Sequence, residues 1–420
     1  MQDESILIVG AGAAGLMAAY TLSKAGRKVT VLEARDRIGG RIHTVGDGFV
    51  FKHAELGAEF VHGNLPVTMQ IINDAGLEYI SQSFEMWQYQ NGKLVRAQWD
   101  TPGWDELMAG LNKLKDDIAI GEFLRRNFGE EKYDRLRGSV TRFVSGYDTA
   151  DPDKASALAL REEWSTEDDD AQYRIAGGYT RIINYLAEES RRHGTVFHLN
   201  SIVTRIERSN GKVKVVLTDG LEYEAEQVIL ALPLGVLQAG KLTFQPAIEK
   251  YEEAFAQIGF GAIVKLLLEF NEPFWETGGR EHMTFVMSAE AIPTWWTQYP
   301  LHTGLLTGWL GGIPAEKRKG MTDEEFLHAG IKSLAKVFEK KEEELMDMLT
   351  GWKVANWTTD PFTLGSYVYD VLGSHNARKV LSKPVDDKLY FAGEFIYEGP
   401  SMGTVEAALT SGLEVAKKII

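Results

Sequence analysis

The segment that most constrains the fold is a strand, a glycine-rich turn and a helix near the N-terminus of this 420-residue chain. An apolar, β-branched run at residues 6–9 leads into Gly10, Gly12 and Gly15, and an apolar helical pattern follows. In such a segment the first glycine permits a tight turn, the second lets the backbone approach a pyrophosphate, and the third lets helix and strand pack closely. The helix N-terminus offers free N–H groups to phosphates. The pattern predicts a dinucleotide-binding domain of the Rossmann type.

The residues after the second predicted strand, at 29–32, indicate which dinucleotide is bound. Glu33 is placed to accept hydrogen bonds from both ribose hydroxyls, and its charge would repel a 2′-phosphate, which disfavours NADP. A second glycine-rich, basic segment, Gly39-Gly40-Arg41, has no role in a nicotinamide-binding domain. In a flavoprotein the two glycines can pass close to the pyrophosphate, and Arg41 can pair with it. The sequence therefore favours a permanently bound flavin.

Segments at both ends of the chain resemble the signature of the FAD-dependent amine oxidase family, which includes monoamine oxidases, polyamine oxidases and histone lysine demethylases. The N-terminal segments read GAGAAGL, EARDRIGGR and ELGAEFVHG, and YFAGE and GTVEAA follow near the C-terminus. The resemblance implies an α/β fold with a Rossmann-type FAD/NAD(P)-binding domain and a discontinuous amine-oxidase substrate domain of α+β type. We expect the FAD-binding domain at residues 1–75, 190–262 and 384–420. The substrate-binding domain is expected at 76–189 and 263–383.

The cofactor that the resemblance implies is FAD, held without a covalent bond. The chain has no cysteine, and Ser366 stands where monoamine oxidases have their flavin-linked cysteine. Val203 matches the residue whose backbone meets the adenine, and Glu394 matches the acid that binds the ribityl or phosphate region. The implied cofactor-binding residues are Gly10, Ala11, Gly12, Ala14, Gly15, Glu33, Ala34, Arg35, Gly39, Gly40, Arg41, Gly57, Ala58, Glu59, Phe60, Val203, Trp357, Gly393, Glu394, Gly403, Thr404 and Val405.

Five positions carry the chemistry that the resemblance implies. Lys265 matches the family lysine that holds a water against flavin N5, Tyr367 matches an aromatic wall perpendicular to the flavin, and Trp357 is expected to pack against the flavin. Thr404 replaces a second tyrosine of the monoamine oxidase cage, which opens the pocket to a longer or bulkier amine. His62 stands where animal-type polyamine oxidases have a histidine. The same positions also suit an exposed edge-strand lysine, core aromatics, a helix-capping threonine and a structural histidine.

The resemblance implies an enzyme in which a hydride passes from the amine α-carbon to flavin N5. The imine is then hydrolysed to an aldehyde or ketone, and O2 reoxidises the flavin to give H2O2. A polyamine-type or other bulky amine is favoured. Alternatives of the same fold are a monoamine oxidase and an L-amino-acid oxidase, the latter with a carboxylate-binding arginine among Arg126, Arg137 and Arg142. A flavin-bearing binding protein without turnover is the non-enzyme alternative.

Composition restricts the partners of the chain. The net charge of −15 argues against nucleic acid and would weakly steer cationic ligands inward. No stretch of ~20 residues is apolar enough to cross a bilayer, and no signal segment precedes the first strand. Disulfides and thiolate metal sites are excluded by the lack of cysteine. We therefore expect a cytoplasmic protein that acts on a small amine with O2 and binds neither metal nor membrane, with a homodimer as its candidate assembly.

Local patterns add further predictions outside the cofactor motifs. Amphipathic helices are expected at 104–114 and within 117–145, and a capped helix at 322–338. The acidic run at 167–170 is expected to be a solvated loop, and Asn210-Gly211 a hairpin turn.

Overall fold

A computed structural model describes residues 5–46, 48, 50–83, 85–97, 101–165, 171–209 and 211–420. The acidic run at 167–170 and Asn210 of the expected hairpin turn lie outside the described residues.

A five-stranded parallel sheet forms the centre of the nucleotide-binding part. Its strands, in spatial order, are Val196–His198, Lys28–Leu32, Ser5–Val9, Gln227–Leu230 and Leu389–Phe391. The inner strands are apolar on both faces because both faces are covered. This sheet and the helix that follows its central strand confirm the α/β, Rossmann-type fold predicted from the glycine motif.

Helices cover one face of the parallel sheet, and a second sheet with further helices covers the other. The first group comprises Ala13–Lys24, Pro66–Asp74, Thr180–Arg192 and Val405–Ile419. The opposite face packs against a sheet of strands Glu222–Ala225, Lys212–Leu217, Val203–Ser209 and Thr243–Gln245, and against helices Leu234–Gln238, Glu249–Ala256 and Ser374–Leu381.

Helix Thr180–Arg192 packs in the nucleotide-binding part of the molecule. Its buried residues Ile182, Ile183 and Leu186 lie in the same core as helix Ala13–Lys24. The boundary predicted at residue 190 had assigned most of this helix to the substrate-binding domain, because its helical pattern continues that of the preceding region. The domain boundaries themselves remain predictions.

A seven-stranded sheet forms the centre of the second part of the molecule. Its strands, in spatial order, are Leu349–Asn356, Ile263–Phe270, Leu305–Gly311, Thr294–Trp296, Phe285–Met287, Met86–Gln90 and Lys93–Arg96. Helices Gly312–Arg318, Asp323–Val337 and Glu342–Met348 lie beside it. The capped helix is confirmed: the Glu325 amide donates to Thr322 Oγ1 at 3.2 Å, and the Thr322 amide donates to Glu325 Oε2 at 2.8 Å.

A helical layer with a core of its own completes the second part. It consists of Trp104–Leu111, Ile120–Asn127, Asp134–Gly146 and Ala157–Ser165, so the predicted amphipathic helices are confirmed. Two further short sheets consist of strands Val61–His62, Gln172–Ile175 and Tyr79–Gln82, and of strands Gly259–Phe260 and Val368–Tyr369. Among the described residues, no helix combines the length and the apolar character needed to span a bilayer.

Candidate active site

Two glycine-rich segments meet at the N-terminus of helix Ala13–Lys24. The Gly39 amide donates to the Ala11 carbonyl oxygen at 2.8 Å. A Cβ on Gly15 would lie 2.0 Å from the Gly10 carbonyl oxygen, whereas a Cβ on Gly12 would meet nothing within 4 Å. Gly15 therefore allows close packing, and Gly12 leaves the backbone open to the cavity in front of the helix. This arrangement fits the binding of a pyrophosphate.

The two glycine-rich segments, at residues 10–15 and 39–40, together form a glycine cradle. Glu33 lies beside this cradle, where strand Lys28–Leu32 ends. Its side chain is held by two backbone amides, because the Ala11 amide donates to Oε2 at 2.7 Å and the Arg35 amide donates to Oε1 at 2.9 Å. The residue is only 7% exposed, and it borders the cavity. A carboxylate has about four lone-pair sites, so the fixed group retains acceptor capacity for the hydroxyls of a ribose.

Arg41 and Glu394 bring the two ends of the chain together at the cavity. Arg41 Nη1 lies 2.9 Å from Glu394 Oε1, and the same nitrogen donates to the Ser366 carbonyl oxygen. The Val368 amide donates to Glu394 Oε2 at 3.3 Å. Both side chains were predicted to bind cofactor, and they form an ion pair with each other across the chain's N- and C-terminal segments.

One continuous cavity of about 3160 Å³ connects the cradle with the second part of the molecule. Its size exceeds the ~300–1,000 Å³ of a drug-sized ligand site several times, as expected for a dinucleotide together with a substrate. Of the predicted site residues, all but Ala11 and Gly15 border this cavity. Ala11 acts through its backbone contact with Glu33, and Gly15 through helix packing.

Lys265 is buried inside the seven-stranded sheet and is not an edge-strand lysine. Its strand, Ile263–Phe270, pairs on both sides, and the side chain is 1% exposed. Nζ donates to Glu59 Oε2 at 2.8 Å and to the Gly57 carbonyl oxygen at 3.0 Å, and it lies 5.2 Å from the ring centroid of Trp296. Since an ammonium has three donors, one N–H remains beyond these two contacts with the described residues.

Glu59 is the centre of a buried charge network around Lys265. Arg174 Nε donates to Glu59 Oε1 at 3.0 Å, and Gln298 Nε2 donates to the same oxygen at 3.2 Å. Burial alone would raise the pKa of the Glu59 carboxyl, but the charges of Lys265 and Arg174 lower that pKa below its ordinary value. The network therefore fixes Lys265 and Glu59 at the cavity wall, with Arg174 paired to Glu59 behind them.

Aromatic side chains line the cavity next to this network. The Trp357 Nε1 group donates to the Leu56 carbonyl oxygen at 2.8 Å, so the indole is both packed in the core and fixed at the cavity. The Tyr367 hydroxyl donates to the Tyr147 carbonyl oxygen. Burial raises the pKa of Tyr367 above its ordinary value. The ring of His62 lies 6.4 Å from that of Tyr147, which places the histidine in the same wall.

Thr404 borders the cavity and also caps the last helix. Its Oγ1 accepts from the Ala407 amide at 3.3 Å and donates to the Ser401 carbonyl oxygen at 2.6 Å. Thr404 therefore forms the helix cap that was one of its two interpretations from the sequence. Its role in opening an amine cage remains a prediction.

Two acidic residues that the sequence analysis did not single out also border the cavity. Asp148 follows helix Asp134–Gly146, and Glu163 lies on helix Ala157–Ser165. The signal was weak, because a Tyr-Asp pair after a helix looks like an ordinary helix end. Only the tertiary structure shows that Asp148 is buried.

Known proteins resemble this chain in sequence. A family model described as flavin containing amine oxidoreductase matches residues 13–420. Polyamine oxidase 2 of Arabidopsis thaliana is 28% identical over 99% of this chain and 88% of its own length. Lysine-specific histone demethylase 2 of Homo sapiens is 30% identical over 99% of this chain. The chain spans 53% of that human relative, and 30% of the lysine-specific histone demethylase 1 homolog 3 of Arabidopsis thaliana.

Solved structures show the same fold. A putrescine oxidase bound to putrescine superposes with a TM-score of 0.80 at 21% identity, covering 99% of this chain and 98% of the other. Cyclohexylamine oxidase from Brevibacterium oxydans gives a TM-score of 0.81 at 21% identity, with 99% of both chains covered.

Proposed function

We propose that this chain, which belongs to the flavin-containing amine oxidoreductase family, oxidises a polyamine or another bulky amine with O2 as the electron acceptor. The family and its FAD cofactor, both expected from the sequence, are confirmed. The observation that carries the proposal is that the glycine cradle, a buried lysine paired with Glu59, and an aromatic wall border one cavity.

The residues on the cradle side fit FAD. Glu33 would bind the ribose, the open backbone at Gly12 the pyrophosphate, and Val203 the adenine, while Arg41 and Glu394 would lie along the phosphate and ribityl region. When bound, FAD supplies the acceptor for the hydride of the amine and passes its electrons to O2.

The residues on the opposite side prepare the amine for reaction. An alkylamine in water is protonated, with a pKa near ~10.4. Trp357 and Tyr367 give the cavity an apolar wall from which water is displaced, and desolvation favours the neutral amine. Lys265 Nζ donates to Glu59, so we assign it the orientation of a water molecule and a fixed positive charge rather than the role of a base.

The L-amino-acid oxidase alternative depends on a cation for the substrate carboxylate. Arg126 pairs with Glu122 and Arg137 pairs with Asp134, and each pair lies within one helix. Arg142 is the candidate that borders the cavity. Of the three arginines that the sequence suggested, Arg142 is therefore the one to test.

A screen of amines and amino acids under anaerobic conditions tests the proposed function. We expect spermine, spermidine or their acetylated forms to bleach the flavin absorbance faster than benzylamine or L-amino acids, and to give H2O2 when air is admitted. Faster bleaching by an L-amino acid, abolished in Arg142→Ala, would favour the alternative. Bleaching by none of these compounds, with full bleaching by dithionite, would leave a flavin-binding protein without turnover.

FAD should be released intact when the protein is denatured by acid. The chain has no cysteine, and Ser366 is occupied by a contact in which its Oγ lies 2.6 Å from Thr149 Oγ1. We expect the yellow colour in the supernatant and a colourless pellet. Flavin that stays with the precipitated chain would show a covalent bond to another residue.

A further inference from the structure

One carboxylate oxygen of Asp148 is buried and unpaired among the described residues. The residue is 9% exposed, and its Oδ2 atom is buried without a hydrogen-bond partner in the described part of the protein. Buried polar atoms are nearly always hydrogen-bonded, and leaving one unpaired is costly. Asp148 borders the cavity, so its carboxylate group lies beside a ligand held there.

The position of Asp148 is fixed relative to the aromatic wall. On one side, the Tyr147 carbonyl oxygen accepts from the Tyr367 hydroxyl. On the other side, Thr149 Oγ1 lies 2.6 Å from Ser366 Oγ. The backbone on either side of Asp148 is thus tied to the Ser366-Tyr367 segment, which borders the same cavity.

The surroundings of Asp148 favour a cation as the ligand. Glu163, an exposed residue at the same cavity, is close enough to act electrostatically on Asp148. Burial, followed by the charge of Glu163, raises the pKa of the Asp148 carboxyl well above its ordinary value. A bound cation would offset both effects and form a charge-assisted hydrogen bond, whereas the carboxylate of an amino acid would be repelled.

We propose that Asp148, supported by Glu163, binds the second ammonium group of the substrate, the one that is not oxidised. This inference rests on the proposed function, since it assigns the oxidised nitrogen to the flavin side of the cavity. It specifies the substrate class as a diamine or polyamine, and it gives the buried aspartate a recognition role rather than a part in the chemistry.

The test compares a diamine with the monoamine of equal chain length, putrescine with butylamine. In Asp148→Asn we expect kcat/KM for putrescine to fall about tenfold or more, by loss of one charge-assisted hydrogen bond, with butylamine unchanged within twofold. Calorimetric titration of putrescine into the dithionite-reduced holoenzyme, which cannot turn over, should show the same loss in affinity. Glu253→Gln, which removes an exposed charge outside the cavity, is the control.

The outcomes separate the inference from the proposed function. If Asp148→Asn lowers both amines equally or neither, the ammonium subsite is wrong and the amine oxidase stands. If the unmodified protein oxidises no amine, the proposed function fails first. If Asp148→Asn does not fold with FAD, Glu163→Gln becomes the deciding variant. Because Glu163 is exposed and solvent partly screens its charge, Glu163→Gln should lower kcat/KM for putrescine about two- to threefold relative to butylamine. An unchanged ratio in Glu163→Gln would then overturn the inference.

Discussion

Lys265→Met should fold and keep FAD but lose turnover on the order of 100-fold, the loss seen when a preorganised charged donor is removed from an active site. The side chain is 1% exposed and borders the cavity, so its charge acts on whatever is bound there. The fold should survive because Glu59 keeps its contacts with Arg174 and Gln298. Stopped-flow absorbance can follow flavin reduction by the amine and reoxidation by O2 separately, and the second step should be the slower one in the variant.

A matched variant distinguishes loss of the fixed charge from loss of any lysine. Lys214→Met removes a strand lysine that forms surface ion pairs with Glu207 and Glu222. Exposed ion pairs of this kind contribute little to stability because solvent screens them, so this variant should match the unmodified protein in both half-reactions. Equal rates in Lys265→Met and the unmodified protein would make Lys265 a structural residue only. Glu59→Gln should show a smaller kinetic defect than Lys265→Met, since the lysine charge remains while its anchor weakens.

The parts of the site that could be predicted from the sequence are those built by neighbouring residues. A strand, three glycines and a helix lie within residues 5–24. The residues that produce the tight turn and the close packing are therefore neighbours in the sequence. Glu33 was predictable because it ends the next strand of the same unit. The cap at Thr322 and Glu325 was predictable for the same reason, since both partners lie within one helical turn.

The parts that could not be predicted depend on contacts between distant segments. Lys265 and Glu59 are 206 positions apart, and nothing in either segment shows that their charges meet in one buried pair. From the sequence alone, the position of Lys265 also suited an exposed edge-strand lysine. Arg41 and Glu394 were each assigned to the cofactor by resemblance, but their mutual ion pair required the tertiary structure. The burial of Asp148 likewise depends on how the helical layer packs against the sheets.

Thr404 has two proposed roles, a local one as the cap of the last helix and a distant one in widening the amine-binding cavity. As an N-cap, a threonine contributes about 0.5–2 kcal/mol relative to alanine, through the hydrogen bond that Oγ1 accepts from the Ala407 amide. A tyrosine at this position would lose that cap and extend into the cavity. The cap alone accounts for a small polar residue here, so a wider amine cage has to be tested by substrate preference.

Glu33→Ala should lose most of its FAD during purification. The substitution removes the carboxylate that would bind the ribose, and it also leaves the Ala11 amide without its buried acceptor. Hydrogen bonds to charged groups contribute about 1.5–3 kcal/mol, which corresponds to a roughly 10- to 150-fold weaker affinity for FAD. The flavin-to-protein absorbance ratio after gel filtration measures the loss, and titration of the apoprotein with FAD, followed by flavin fluorescence, gives the change in dissociation constant.

Asp36→Ala is the matched control for this experiment. Asp36 lies three residues beyond Glu33, is exposed, and does not border the cavity, so its removal changes the net charge equally without touching the ribose site. Asp36→Ala should keep a full flavin complement. A low flavin content in both variants would point to a general charge effect or damage to the turn. Full retention of FAD in Glu33→Ala through dilution and gel filtration would mean that the carboxylate does not bind the ribose. The assignment of the glycine cradle to the FAD pyrophosphate would then lose its main support.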